Sequence, residues 1–215
     1  MTQIFHPRFT LWVQLGALAV AVFAFGCVAI WRAAIARPNG VNEPVEQVVP
    51  FSHKHHVGQD GIDCRYCHAS VETAAFAGIP PISTCMTCHS QLYTDQKMLQ
   101  PVVDSWRSGV ALHWKRVHNL PDFVFFNHSI HISKGVGCAT CHGRVDRMPL
   151  TMRTASLTMK WCLDCHRDPQ QYLRPRDKVF DMDWKASDQL ALGKQLVRDY
   201  HIDTRRLTDC SVCHR

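Results

Sequence analysis

A pentapeptide of the form C-x-x-C-H occurs five times in this 215-residue chain and constrains its fold more than any other feature. The first copy is Cys64-Arg65-Tyr66-Cys67-His68. The other four copies have the same spacing and are Cys85/Cys88/His89, Cys138/Cys141/His142, Cys162/Cys165/His166 and Cys210/Cys213/His214. Only Cys27, of the eleven cysteines, lies outside these motifs. Whatever the five motifs bind must therefore organise the fold.

The C-x-x-C-H spacing is the attachment signal for c-type haem. Its two thiols add to the haem vinyl groups as thioethers, and the adjacent histidine becomes the proximal ligand of the iron. Zinc is the alternative, because C-x-x-C is also a zinc half-site. Zinc sites pair two halves, whereas five is an odd number, and zinc does not require a histidine after every second cysteine. The sequence therefore predicts five covalently attached haem c groups.

The residues before the first and third motifs form an internal repeat. They are Phe51-Ser52-His53-Lys54-His55-His56 and Phe126-Asn127-His128-Ser129-Ile130-His131. The shared pattern is F-x-H-x-x-H, followed after seven or six residues by C-x-x-C-H. We expect two copies of a two-haem unit, at 51–89 and 126–166, and a fifth haem at 201–215. Together they would form one domain over 51–215.

The N-terminal region contains an uncharged stretch, Leu11–Trp31, long enough to cross a bilayer as one helix. A cleaved signal peptide is the alternative, because Ala34-Ile35-Ala36 resembles a cleavage site, but the apolar stretch is long for a signal. We expect a retained, single-pass anchor in the cytoplasmic (inner) membrane. Residues 1–10 would be cytoplasmic and residues 32–50 a linker. Bacteria attach haem outside the cytoplasm, so the haem domain should lie on the periplasmic side.

The predicted fold class is a multihaem cytochrome c of mostly short helices and loops, with one N-terminal transmembrane helix. Residues 32–215 provide about 37 residues for each haem, too few for a separate core around each group. Two further helices are expected, one over Leu99–Trp106 and one capped by Ser187 that runs to about Tyr200. We find no convincing alternating strand pattern.

Each iron needs an axial ligand besides its proximal histidine. The H-x-x-H spacing places two imidazoles on one side of a helical turn, so one can bind the haem attached just downstream and the other a different haem. The predicted axial ligands are His53, His56, His128 and His131, with His118 and Met159 as further candidates. His55 aligns with Ile130 in the other copy and is not expected to bind iron. Six candidates for five irons favour outer-sphere electron transfer over reduction of a bound substrate.

The formal net charge of +6 does not indicate nucleic acid as a partner. Each haem brings two propionate groups, and these carboxylates require lysine and arginine partners. We see no basic run interleaved with aromatic residues, so nucleic acid is not expected.

The chain resembles the pentahaem cytochrome c subunits of alternative complex III, a bacterial quinol:electron acceptor oxidoreductase. The resemblance lies in the N-terminal helix and in five segments, Phe51 to His68, Val117-His118 to Pro121, Phe126 to His142, Met159-Lys160-Trp161-Cys162 to Arg167, and Cys210 to Arg215. It implies a non-catalytic electron-transfer subunit of a quinol-oxidising respiratory or photosynthetic complex. The implied partners are a polytopic quinol-binding membrane subunit, an iron–sulfur protein subunit, a monohaem cytochrome c and a soluble electron acceptor.

Two other functions remain open at this point. One is a stand-alone membrane-anchored quinol dehydrogenase cytochrome, a class with one helix and four haems. The other is a multihaem reductase with a substrate of its own, which would need an iron with an open position.

Overall fold

The computed structural model of the protein describes residues 7–36 and 40–214. Residues 1–6 of the predicted cytoplasmic segment, residues 37–39 of the predicted linker and Arg215 lie outside this description. The chain forms two compact units, Met1–Asn39 and Gly40–Arg215.

The first unit contains one long helix, α1, over Pro7–Ala36. Its apolar stretch, Arg8–Ala34, has the length and composition of a membrane span. This confirms the predicted N-terminal apolar helix. Length and composition are shared by membrane anchors and signal sequences, so they do not distinguish the two.

The second unit is built from short helices joined by loops. Its α-helices are α2 (Cys64–Cys67), α3 (Ile82–His89), α4 (Gln100–Ser108), α5 (His128–Ser133), α6 (Cys138–His142), α7 (Met159–Arg167), α8 (Gln189–Asp199) and α9 (Cys210–Cys213). A π-helix covers Lys54–Gln59, and 3-10 turns cover Lys97–Leu99, Val145–Arg147, Pro169–Gln171 and Arg176–Lys178. Across residues 7–36 and 40–214, β-pairing is limited to four isolated bridges. The predicted class of short helices and loops is confirmed.

The two helices predicted between and after the haem units are present with shifted ends. The first, α4, buries Val102 on its inner face, but Trp106 is half-exposed rather than part of that face. The second, α8, buries Leu196. Its cap prediction was wrong by one residue, because Asp188 rather than Ser187 has the extended backbone of an N-cap and accepts a hydrogen bond from the Ala191 N–H.

The segment that leads into the first copy of the repeat is hydrogen-bonded to the second copy. The Asn42 N–H donates to the Arg153 carbonyl over 2.7 Å, and the Val45 N–H donates to the Thr151 carbonyl over 3.1 Å. Val49 is also buried. From residue 40 onward, the segment expected to be a linker therefore belongs to the second unit.

The deepest part of the second unit surrounds the start of the third motif. Leu173 and Val179, with exposed fractions of 1% and 0%, are its most buried large side chains. Their segment, 173–181, bonds to the first residue of the motif, since the Cys138 N–H donates to the Val179 carbonyl over 3.2 Å. Gly135 adopts φ +77, and a Cβ there would overlap the Arg174 carbonyl.

Candidate haem-binding sites

Each C-x-x-C-H motif lies in a helical turn, so its two cysteines project from the same side of the helix. The five turns are α2, the end of α3, α6, the second half of α7, and α9. Every cysteine has a free thiol. The ten motif cysteines thus form five pairs, each next to a histidine, as thioether attachment requires.

Two of the ten predicted attachment cysteines, Cys88 and Cys210, differ from the others because they are exposed, whereas the remaining eight are partly buried. Cys88 lies in the last turn of α3, which ends at His89, and the Thr87 hydroxyl lies 3.9 Å from its Sγ. The protein alone therefore does not enclose the second motif as it encloses the third. A haem attached at Cys88 would itself cover this thiol, and the attachment at Cys88 stays a prediction.

Main-chain carbonyls orient four of the five predicted proximal histidines. The Nδ1 atoms of His68, His89, His166 and His214 pair with the carbonyls of Gly78, Leu92, Leu207 and Phe123, at 2.8, 3.2, 2.8 and 3.2 Å. A carbonyl can only accept, so Nδ1 carries the proton in each neutral ring. Nε2 is then left with a lone pair, which is the arrangement that a metal-bound histidine needs.

The predicted distal histidines are held in a similar way. The Nδ1 atoms of His56, His128 and His131 donate to the carbonyls of Ser52, Ala75 and Asn127, at 2.9, 2.8 and 2.6 Å. His53 Nδ1 instead lies 2.9 Å from the Thr151 hydroxyl. His128 therefore bonds to residues 51–89 and His53 to residues 126–166, which ties the two copies of the repeat together. His55 bonds to the nearby Gln59 side chain, 3.0 Å away.

Three distal histidines face a proximal histidine across a gap that suits one iron. The ring centres are 6.0 Å apart for His56 and His89, 6.2 Å for His131 and His166, and 6.4 Å for His128 and His142. Two metal–imidazole bonds of about 2.0–2.1 Å each would separate two ring centres by about 6 Å. These three pairs therefore have the spacing of axial ligands on opposite sides of an iron.

A cluster of buried imidazoles lies around the third motif. The His118 ring centre is 4.3 Å from that of His142, and His118 Nε2 is buried without a hydrogen-bond partner in the described part of the chain. Burial, and to a smaller extent the neighbouring His118 and His128, lower the pKa of His142 to about 3. Burial likewise lowers the pKa values of His53 and His118 to about 4. The rings are thus neutral at physiological pH, which is the form that binds iron.

The fifth motif lies beside the segment before the second two-haem unit. The Phe125 N–H donates to the Cys213 carbonyl over 2.7 Å, and the His214 ring stacks on Phe123 with centres 5.9 Å apart. Met159 begins α7 and is 64% exposed. His118 contacts His142, and the axial roles of His118 and Met159 stay predictions.

Burial raises the pKa of the Cys141 thiol to about 12 and those of Cys138 and Cys165 to about 11, so these three thiols are protonated before any group is attached. Over residues 7–36 and 40–214, no three or more His, Cys, Asp or Glu side chains are grouped to hold a metal ion. The side chains instead suit a group attached through two thioethers and held between two imidazoles.

Comparison with known proteins agrees with this geometry. Residues 31–108 match the class III cytochrome C family, and residues 124–215 match the family of cytochrome c7 and related cytochrome c. The multihaem cytochrome c subunit of menaquinone reductase from Nitratidesulfovibrio vulgaris is 31% identical over 180 residues, which are 83% of this chain and 72% of that protein. This chain therefore belongs to the multihaem cytochrome c family, whose members carry covalently bound haem c.

Proposed function

We propose that this chain carries electrons through five c-type haems within a membrane complex that exchanges electrons with the quinone pool. The observation that carries the proposal is the set of three histidine pairs with ring centres 6.0 to 6.4 Å apart. An iron with two histidine ligands has no position for a substrate, so its chemistry is electron transfer.

The axial ligands follow from these distances and from the repeat. His56 with His89, His131 with His166, and His128 with His142 hold the second, fourth and third haems. By equivalence with the second two-haem unit, His53 and His68 hold the first, and burial of His53 near His68 supports this pair. His214 holds the fifth haem together with His118 or Met159.

The protein's own groups hold these ligands in fixed orientations. Bound haem supplies an iron that gains or loses one electron without breaking a bond. Main-chain carbonyl partners of Nδ1 fix seven of these imidazole rings, and burial keeps water from the central rings. Little has to move when an electron arrives, which favours fast outer-sphere transfer.

The direction of electron flow is the finer part of the proposal. The resemblance to alternative complex III favours quinol oxidation, with electrons passing to an iron–sulfur subunit, a monohaem cytochrome c or a soluble acceptor. The relative from N. vulgaris is named as a subunit of menaquinone reductase, which favours the opposite direction. Both require a polytopic quinone-binding partner, and α1 has the length and composition to anchor this chain beside it, with the haem domain on the periplasmic side.

Two measurements test the proposal. Intact-mass analysis of the purified protein should give five covalent haems. The complex isolated from membranes in mild detergent should contain a polytopic subunit, and its haems should be reduced by added quinol or oxidised by added quinone, whichever direction holds. Quinol oxidation by this chain alone in liposomes would instead identify a stand-alone dehydrogenase.

The alternative, a reductase with its own substrate, is tested by adding nitrite, hydroxylamine or carbon monoxide to the purified protein. Irons whose two axial positions are both occupied by protein ligands should give no change in the haem spectrum. A stoichiometric shift to ligand-bound haem would contradict the electron-transfer assignment.

A further inference from the structure

Arg174 is a buried cation that the described residues leave without an ion-pair partner. It is 9% exposed, and its Nη1 donates to two main-chain carbonyls, of Asp181 at 2.9 Å and Lys178 at 3.4 Å. Its Nε is buried and has no hydrogen-bond partner among the residues described. The guanidinium also lies over the Trp184 ring, 5.1 Å from the ring centre. An arginine in such a position keeps its proton and so places a positive charge inside the protein.

The charge lies against the third haem-attachment motif. A Cβ on Gly137, the residue before Cys138, would overlap Cζ and Nε of Arg174, so the guanidinium is packed against the first residues of the motif. The main-chain N–H of Arg174 donates to the Gly135 carbonyl over 2.8 Å, and this bond fixes the position of the Arg174 backbone from which the side chain extends. Arg174 also acts electrostatically on the Cys138 thiol, through which the haem would be attached.

The first motif has a different arrangement at the equivalent position. Asp63 precedes Cys64 where Gly137 precedes Cys138. Its carboxylate accepts two bonds from the Arg65 guanidinium, at 2.9 and 2.8 Å, and both side chains are about half exposed. This pair is neutral overall and is screened by water, whereas the charge on Arg174 is buried and uncompensated.

A buried charge at this position acts on the haem that is expected at the motif. Oxidised haem carries one positive charge more than reduced haem, since reduction adds one electron to the iron and breaks no bond. A cation nearby therefore favours the reduced form, and the effect is strong where water is excluded.

We propose that Arg174 raises the midpoint potential of the haem attached at Cys138 and Cys141. The inference rests on the proposed function, because it requires a haem at the third motif. Arg174 is a positioning and tuning residue, and it makes no bond to the iron.

The test is a spectropotentiometric titration of the full-length, haem-loaded protein. Arg174→Gln removes the charge but keeps a polar side chain. One component of the titration should move to lower potential by at least a tenfold change in its reduction equilibrium, about 59 mV for one electron. Arg174→Lys keeps the charge and should retain at least half of the wild-type effect. Arg176→Gln is the matched control, since Arg176 lies in the same segment but is exposed and bonds to the Ser133 carbonyl.

A further variant tests the same charge in the opposite direction. Asp181 acts on Arg174 from a greater distance, and its side chain accepts a 3.0 Å bond from the Asp183 N–H, which asparagine can also accept. Asp181→Asn should therefore raise the component that Arg174→Gln lowers. This variant decides the question if Arg174→Gln does not accumulate as a folded protein.

Haem counting by intact mass separates the possible failures. A wild-type protein without haem on the peptide that contains Cys138 and Cys141 would overturn the proposed haem count. Five haems in every variant, with unchanged potentials in Arg174→Gln and Asp181→Asn, would overturn the role of Arg174 alone. An equal fall in Arg174→Lys and Arg174→Gln would also overturn it, because the carbonyl bonds rather than the charge would then matter.

Discussion

The two F-x-H-x-x-H segments place their rings almost identically, although different helices carry them. Phe51 stacks on His56 at 4.5 Å and 23°, and Phe126 stacks on His131 at 4.5 Å and 25°. In both copies the same phenylalanine also meets the first histidine edge-on, at 4.9 and 4.8 Å. The first segment is followed by seven residues before its motif and the second by six. The first continues as a π-helix, Lys54–Gln59, and the second is the α-helix His128–Ser133. A π-turn takes up one extra residue, so ligand geometry survives a change of chain length.

The motifs that follow the two segments differ in burial. Segment 173–181 buries the start of the third motif, whereas at the first motif it places Phe180 against the Arg65 guanidinium, 4.6 Å from the ring centre, and leaves Tyr66 52% exposed. This difference comes from the chain after the repeat rather than from the repeat itself. The two copies can thus hold haem alike and still give it different surroundings.

The largest effect is expected from truncating a buried side chain in segment 173–181, which packs against the third motif. Leu173→Ala removes a side chain that is 1% exposed and should lower the free energy of unfolding by about 2–5 kcal/mol. Denaturant unfolding of the haem-loaded protein measures this loss. Leu190→Ala is the control, because Leu190 is 52% exposed in α8 and should change stability by less than about 0.5 kcal/mol. Equal losses for both variants would mean that segment 173–181 is not a core element.

The π-helix provides the next test. A Cβ on Gly58 would overlap the Asp146 carbonyl, so Gly58→Ala should lower the free energy of unfolding by about 1–3 kcal/mol. The equivalent position in the second copy is Ser133, which is exposed, and Ser133→Ala should be nearly neutral. Thermal unfolding of the two variants compares the copies directly. A neutral Gly58→Ala would contradict the close contact between the π-helix and the Val145–Arg147 turn.

The two copies of the repeat differ at the position three residues before their second motif, which is Ile82 in the first copy and Met159 in the second. If Met159 binds iron, Met159→His should lower one midpoint potential, since a thioether ligand raises the potential relative to imidazole. The shift should correspond to a change of at least about tenfold in the reduction equilibrium constant of that haem. Redox titration measures the shift, and Met98→His, another exposed methionine, is the control. Unchanged potentials would leave His118 as the ligand of the fifth iron.

The smallest effect concerns Asp63, which has no counterpart at Gly137. Hydrogen bonds from Arg65 lower the pKa of Asp63 to about 2 from its ordinary value of 3.8. A carboxyl group whose pKa is lower in the folded state stabilises the fold above the unfolded-state pKa, and this stabilisation is lost as pH falls from about 4 to about 2. Asp63→Asn should flatten the stability–pH curve slightly over that range, because the pair is exposed. Identical curves would show that the pair adds nothing to stability.

The sequence predicted the features that depend on local spacing. The helical turn of each motif suits C-x-x-C-H, because the chemistry of attachment requires that spacing. The H-x-x-H spacing placed two imidazoles near each other, but it did not indicate which proximal histidine each would approach. The cap of α8 was misplaced by one residue, since serine and aspartate are both good caps and stand side by side.

Features that depend on distant packing could not be predicted. Nothing in residues 173–181 indicates that they cover Cys138, or that Arg174 is buried there. The spacing of the second motif likewise does not indicate that Cys88 is exposed while Cys138 is not. The contacts of residues 41–45 with residues 151–153 join segments more than 100 positions apart and involve backbone atoms only, which leave no pattern in side-chain type.

The histidine orientation has a consequence for how this protein can change over time. The carbonyls that receive Nδ1 protons, such as those of Gly78, Ala75 and Leu207, are main-chain groups. They are present whatever residue occupies the position, and they do not titrate. Amino-acid replacements around the haems can therefore accumulate without turning a ligand, provided that the backbone keeps its path. The midpoint potentials of the haems can therefore change through replacements of nearby charged residues while the axial ligands keep their arrangement.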